Sequence, residues 1–179
     1  AFEGPLAHAR RHGNFAASWQ GMVALGLLLA LSLQVEVSAA EPMLAGSARI
    51  DITPRAPVQL INVKTPVESQ GVSQRLFARA LAIGEGTEAV VLVSFDGIGV
   101  PASLADKVAG RLHELKGLKR EQVSICATHT HWAPHLTDLL TTIYGGPLPG
   151  AHQERVDVYT DWLAQQLEAV ALDALDNRA

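Results

Sequence analysis

Residues 89–127 read AVVLVSFDGIGVPASLADKVAGRLHELKGLKREQVSICA, and this stretch decides the fold. It begins with residues 89–95, a continuously apolar and β-branched run that is typical of a strand covered on both faces. After a Gly-rich turn, apolar residues recur at helical spacing over residues 103–116. A second short apolar run occupies residues 122–127. A strand, a helix and a strand of these lengths predict a βαβ unit, in which the two strands are parallel.

The residues on either side of this unit extend the same pattern. Residues 45–53 alternate as a strand does, and residues 76–83 form a second strand candidate that ends at a Gly-rich turn. The intervening residues 58–75 have weak periodicity, which indicates a long loop. Residues 154–175 carry an apolar stripe at helical spacing, which is typical of a helix packed on a core. The predicted fold class is therefore α/β, with helices layered on a sheet.

Length and composition limit the classes of protein that the chain can represent. It has 179 residues, of which 48% are hydrophobic, enough for one domain with a sizeable core. Its net charge is −4 and no run of Lys or Arg exceeds two, which argues against a nucleic-acid partner. Cys126 is the only cysteine, so an intramolecular disulfide and a Cys-rich zinc module are excluded. Its apolar neighbours predict a buried side chain.

The first 40 residues are predicted to be a secretory signal peptide. Arg10 and Arg11 precede the apolar run of residues 22–33, and small residues follow it. The uncharged stretch around this run approaches the length of about 20 residues that spans a membrane, so a single membrane anchor is the alternative. The chain is thus divided into a signal peptide, residues 1–40, and an exported domain, residues 41–179.

Residues 127–135, which read ATHTHWAPH, carry the candidate chemistry. They begin where the second strand of the βαβ unit ends, and sites in open α/β sheets lie beyond the carboxyl ends of strands. In extended backbone, His129 and His131 point to one face about 6.5–7 Å apart along the chain. Their imidazoles can converge on one metal ion or one substrate, and neutral imidazole is a good zinc ligand.

Other polar residues lie near this segment or elsewhere in the exported part. Asp96 ends the neighbouring strand, about 4.8 Å away, so its carboxylate could orient an imidazole of the pair. An Asp before a Gly is alternatively a turn residue or a helix cap. His135 is interpreted as a loop residue or a third metal ligand, and His113 and His152 as solvated residues.

Several catalytic signatures are absent from the sequence. It contains neither a Gly-x-Ser-x-Gly elbow, nor His-Glu-x-x-His, nor a Gly-rich phosphate-binding loop. The metallo-β-lactamase pattern His-x-His-x-Asp-His also fails, because Ala133 and Pro134 stand where Asp and His are needed.

Four motifs occur in order along the exported part. They are residues 45–54 (AGSARIDITP), residues 76–81 (LFARAL), residues 90–96 followed by Gly99-Val100-Pro101, and residues 127–131 (ATHTH). Together they resemble the N-terminal catalytic domain of the neutral/alkaline non-lysosomal ceramidases and their bacterial relatives. The layered sheet-and-helix fold of that family is the fold that the resemblance implies, here in incomplete form.

The resemblance implies a zinc-dependent amidase that hydrolyses the N-acyl bond of ceramide or a related lipid amide, with peripheral contact to a membrane. It makes His129 a zinc ligand and His131 an active-site residue near the substrate. The family's other zinc ligands, a histidine, a glutamate and a tyrosine, are expected beyond Ala179. The chain is therefore expected to be an N-terminal fragment with little activity alone. Residues 132–135 (WAPH) depart from the Ser-Gly-Pro-Gly-like turn of the ceramidases.

Two other functions stay open at the level of the sequence. One is an amidohydrolase-type metal hydrolase of another fold, which also uses His-x-His after a strand. That motif normally ends the first barrel strand, whereas at least three strand candidates precede it here. The other is a non-catalytic exported binding domain whose histidines are polar loop residues.

Overall fold

A four-stranded sheet lies at the centre of the structure, a computed structural model that describes residues 42–61, 67–141, 143–144 and 146–179. The strands of the protein are β1 (Ala45–Asp51), β2 (Gln59–Leu60), β3 (Val67–Glu68), β4 (Phe77–Ile83), β5 (Val90–Phe95) and β6 (Val123–Ala127). The order in the four-stranded sheet is β1-β4-β5-β6, with β1 and β5 antiparallel to β4 and with β6 parallel to β5. The two very short strands, β2 and β3, pair separately.

The predicted βαβ unit is confirmed. Helix α1 (Ala102–Lys116) connects β5 to β6, and these two strands form the parallel pair of the sheet. The helix ends at Gly117, whose φ of 72° is the left-handed conformation that glycine adopts without steric cost. Its backbone N–H donates to the carbonyl of His113 at 2.8 Å, which closes the last turn.

The long C-terminal helix packs on the sheet with the face that the sequence predicts. Helix α2 (Gly150–Asp176) begins four residues before the apolar pattern does, directly after Pro149 in extended conformation. Its first turn carries no apolar stripe, so periodicity could not reveal this start. The predicted stripe is buried throughout, namely Val156, Tyr159, Leu163, Leu167, Val170 and Ala174.

One face of the sheet is covered by the helices, and the opposite face is open in the described residues. The prediction that β5 is covered on both faces is therefore wrong for this part of the chain, since Val90 and Leu92 are 39% and 48% exposed. Cys126 is also exposed, contrary to the prediction. It lies opposite Ser94 on β6, on the open face, which no helix of the described residues covers.

The predicted loop of residues 58–75 contains a small ordered piece. Strands β2 and β3 form a two-residue ladder there, and Gln59 is completely buried. The predicted signal peptide and residues 62–66 lie outside the described residues. Among the helices that are described, none has the length and apolar character needed to cross a membrane.

Candidate active site

The site begins where the two parallel strands end side by side. Beyond β6, Thr128 donates its backbone N–H to the carbonyl of Phe95, and Thr130 donates to that of Gly97, both at 3.0 Å. The segment that carries the histidines therefore continues alongside the end of β5. A Cβ on Gly97 would lie 2.4 Å from the ring of Phe95, so this close approach requires glycine.

The ring of His129 is fixed by the backbone next to it. Its Nδ1 lies 2.8 Å from the carbonyl oxygen of Ile98. Because a carbonyl can only accept a hydrogen bond, in the neutral imidazole Nδ1 carries the proton and Nε2 keeps its lone pair. Metal-binding histidines commonly show this arrangement, in which the other ring nitrogen donates to a carbonyl. The local geometry therefore fits His129 as a metal ligand.

The backbone of His129 is not extended, so the prediction that His129 and His131 project from an extended segment is wrong. Its φ of 63° lies in the left-handed region, which non-glycine residues rarely occupy and which costs about 1–3 kcal/mol. The hydrogen bonds of Thr128 and Thr130 on either side hold the chain in this turn. Strain of this kind clusters at functional sites.

The structure brings the two predicted histidines together. The ring centroids of His129 and His131 are 5.2 Å apart and the rings meet edge to face, at 89°. Both side chains are exposed, so a ligand can approach them. Two nitrogen-bearing rings thus share one place at the carboxyl edge of the sheet.

Asp96 has partners other than the histidines. Its Oδ2 accepts the backbone N–H of Phe77 at 2.8 Å and lies 3.7 Å from Nη1 of Arg79. Within the described residues no hydrogen bond joins Asp96 to either imidazole. The imidazole of His129 is oriented by the carbonyl of Ile98, and not by this carboxylate as expected. A catalytic role for Asp96 stays a prediction.

His135 is anchored inside the protein rather than grouped with the other two. Its backbone N–H donates to the carbonyl of Gln59 at 2.7 Å. The residue is 6% exposed, and the centroid of its ring lies 5.7 Å from that of the Tyr144 ring. Burial lowers the pKa of its imidazole. Its Nδ1 is buried without a hydrogen-bond partner in the described structure. Nothing in the sequence indicates this burial.

The two remaining histidines differ from each other. His113 is exposed on α1, as predicted, with Nδ1 3.0 Å from the carbonyl of Leu118. His152 is not simply solvated, because its Nδ1 lies 3.0 Å from Oε1 of Gln59 and its Nε2 lies 3.8 Å from Glu68. It therefore links α2 to the small β2–β3 ladder.

The donor set for a metal is incomplete in the described part of the chain. No group of three or more His, Cys, Asp or Glu side chains is arranged there to hold a metal ion. A catalytic zinc ion needs three protein ligands and an open position for water. The described residues fit one firmly oriented ligand, His129, with a second imidazole beside it.

An open cleft of about 930 Å³ adjoins the histidine segment. Trp132, 70% exposed, and Thr130 lie on its histidine side. Its arginines have no shared signal in the sequence, because residues from β4 and two loops meet there only in the folded chain. The charged residues that line the cleft are Arg55, Arg75, Arg79 and Asp96.

The fold is similar to that of solved structures. No protein-family model matches the sequence, and neither does any curated protein. The fold is similar to the crystal structure of neutral ceramidase from Pseudomonas aeruginosa, with a TM-score of 0.62 and 21% identity over 78% of this chain. It is also similar to a ceramidase complexed with C2, with a TM-score of 0.60 and 22% identity over 76% of this chain.

The likeness covers 22% of each ceramidase chain, so this protein spans about a fifth of their length. The mixed α/β fold, with its sheet and helices, is shared over that part. The resemblance noted in the sequence is thereby confirmed at the level of the fold.

Proposed function

We propose that the chain is part of a zinc-dependent hydrolase that cleaves the amide bond of a lipid amide such as a ceramide. The observation that supports this proposal is His129, whose ring is oriented by the Ile98 carbonyl with Nε2 free, beside His131. The fold likeness to neutral ceramidase supports a lipid amide as substrate.

The two histidines have different proposed roles. His129 would supply one ligand nitrogen, and a bound zinc ion would lower the pKa of a bound water to about 7 and polarise the amide carbonyl. His131 lies close by, exposed and with its own two ring nitrogens, so it can donate a hydrogen bond to the acyl oxygen or pass a proton to the leaving amine.

The proposal includes export and contact with a lipid surface. The first 40 residues have the pattern of a signal peptide, which supports a secreted or periplasmic location. Trp132 is exposed beside the histidines, and indole rings favour the boundary between water and lipid. N-terminal sequencing of the exported protein checks the first part, and an intact N-terminal segment would contradict it.

Zinc titration of the 179-residue chain tests the central claim. His129→Ala is expected to weaken zinc binding at least about tenfold, because it removes the oriented ligand. His113→Ala, an exposed histidine on α1, is the matched control and should leave the zinc affinity unchanged. Equal affinities for His129→Ala and the parent chain would refute the proposal.

The same chain is expected to hydrolyse ceramide negligibly even with zinc present. Its described residues offer fewer than three grouped metal donors, and a catalytic zinc needs three. Substantial turnover in a ceramide hydrolysis assay would show that the site is complete within these residues or is of another kind.

A further inference from the structure

The cleft beside the histidine pair is lined by more cationic than acidic side chains. Arg55, Arg75 and Arg79 line it, while Asp96 is the acidic residue that lines it among the described residues. Trp132 forms part of the wall on the histidine side. The cleft therefore combines a cationic surface with an exposed aromatic ring next to the proposed reaction site.

The arginines are only partly neutralised by the protein itself. Arg75 pairs with Asp51 at 2.7 Å, and Arg79 lies 3.7 Å from an Asp96 oxygen that already accepts a backbone N–H. Arg55 is exposed and forms no ion pair with any described residue. The cleft thus has more cationic groups than carboxylates to balance them.

A second, independent feature lies in the pairing of β1 and β4. Arg49 and Arg79 stand directly opposite each other in this antiparallel ladder. Like charges in that position are destabilising. Both guanidinium groups lie over the ring of Phe77, at 4.6 and 5.5 Å from its centre, which offsets part of the repulsion. An anion bound in the cleft near Arg79 would offset the remaining repulsion between the two guanidinium groups.

We propose that this cleft binds an oxyanion group, such as a phosphate or carboxylate, carried by the amphiphilic substrate, with Arg79 as the principal contact. The planar guanidinium can hold such a group through two parallel hydrogen bonds. Trp132 then packs against the adjoining apolar part. That the bound lipid presents an amide bond to the histidines rests on the proposed function. Binding of the anionic group itself needs no metal. The preferred substrate class is an acidic lipid amide rather than an uncharged one.

Binding of lipids in neutral mixed micelles to the 179-residue chain tests this proposal. Ceramide 1-phosphate is expected to bind at least about tenfold more tightly than ceramide, a difference of roughly 1.4 kcal/mol. Arg79→Gln should remove most of this preference. Lys107→Gln, which removes an exposed cation paired with Asp161 on α2, is the matched control and should keep the preference.

The outcomes separate this proposal from its rivals. Equal binding of the two lipids, or equal losses in Arg79→Gln and Lys107→Gln, would overturn it. Inorganic phosphate that binds as tightly as ceramide 1-phosphate, and depends on Arg79, would assign the cleft to a free oxyanion and overturn the lipid assignment. His129→Ala should retain the preference, so failure of the zinc proposal and failure of the anion proposal give different results. Circular dichroism of Arg79→Gln checks that the variant folds.

Discussion

At the scale of single residues, the candidate site depends on backbone geometry as much as on side chains. His129 could be predicted from its place at the end of a strand, because its residue type and spacing are visible in the sequence. The Ile98 carbonyl that orients it could not, since every residue has a carbonyl and nothing in the sequence marks this one. The sequence therefore predicted His129 as a candidate ligand, while the orientation of its ring became visible only in the folded chain.

Gly97 allows the histidine segment to lie beside the end of β5, and its replacement tests this role. Gly97→Ala would place a Cβ 2.4 Å from the ring of Phe95, which is buried and cannot move away freely. We expect a loss of about 1–3 kcal/mol in the free energy of unfolding. Urea unfolding at neutral pH measures it.

Gly110 provides the matched control, because a Cβ there would meet nothing within 4 Å. It lies inside α1, where Ala is favoured over Gly by about 0.5–1 kcal/mol. Gly110→Ala should therefore stabilise the protein. Equal effects of the two substitutions would contradict the tight approach at Gly97.

At the scale of elements, the helices and strands that could be predicted are those whose whole pattern lies in one continuous stretch of sequence. The βαβ unit was found because a β-branched run, an apolar helical stripe and the stop at Gly117 all lie within residues 89–127. An apolar run alone could not tell how many faces of β5 are covered, because Val90 and Leu92 would read the same in either case. Whether a face of β5 is covered depends on which other parts of the chain pack against it.

The segment that follows His131 is held by backbone hydrogen bonds to β2 and to the residue after it. Ile61 donates its backbone N–H to Ala133 at 3.0 Å, and His135 donates to Gln59 at 2.7 Å. These bonds bring the ring of His135 into the interior, where burial lowers its pKa below the ordinary value of 6.5. The fold therefore holds this imidazole in its neutral form near neutral pH.

This burial predicts a pH dependence of stability. Below about pH 6.5 the unfolded chain takes up a proton on His135 and the folded chain does not. The free energy of unfolding should therefore fall as the pH drops from 6.5 towards the lowered pKa, by at most about 1.4 kcal/mol per pH unit from this residue. Urea unfolding of the parent chain at pH 7.5 and at pH 5.5 measures the loss.

Comparison of variants assigns the pH effect to one residue. His135→Phe has no group to protonate, so it should lose less stability than the parent chain over the same interval. His113→Ala, which removes an exposed histidine, should keep the parent's pH dependence. An unchanged loss in His135→Phe would contradict the assignment.

At the scale of the whole molecule, only the part of the candidate site that lies in one short segment could be predicted from the sequence. The His129–His131 pair comes from such a segment, and the fold places it at a strand end as expected. The cationic cleft joins residues from β4 and from two separate loops. Arg55, Arg75 and Arg79 come from these separate segments, so no contiguous stretch of the sequence signals the cleft.

The open face of the sheet has a consequence for how the isolated chain behaves in solution. Leu81 and Leu92 are direct cross-strand partners on this face, 40% and 48% exposed, and β6 is an edge strand of the sheet. Exposed apolar patches and open strand edges both favour association between copies. We expect concentration-dependent self-association of the 179-residue chain between micromolar and near-millimolar concentrations, measured by sedimentation velocity.

Leu92→Lys should suppress this self-association, because it places a charge in the middle of the open face without touching the core. Leu115→Lys is a closely matched control, since Leu115 is 47% exposed but lies on α1, away from that face. It should leave the association constant within about twofold of the parent, a difference below 0.5 kcal/mol. Equal suppression by both variants would show that added charge alone matters, and no association of the parent would show that the open face is not adhesive.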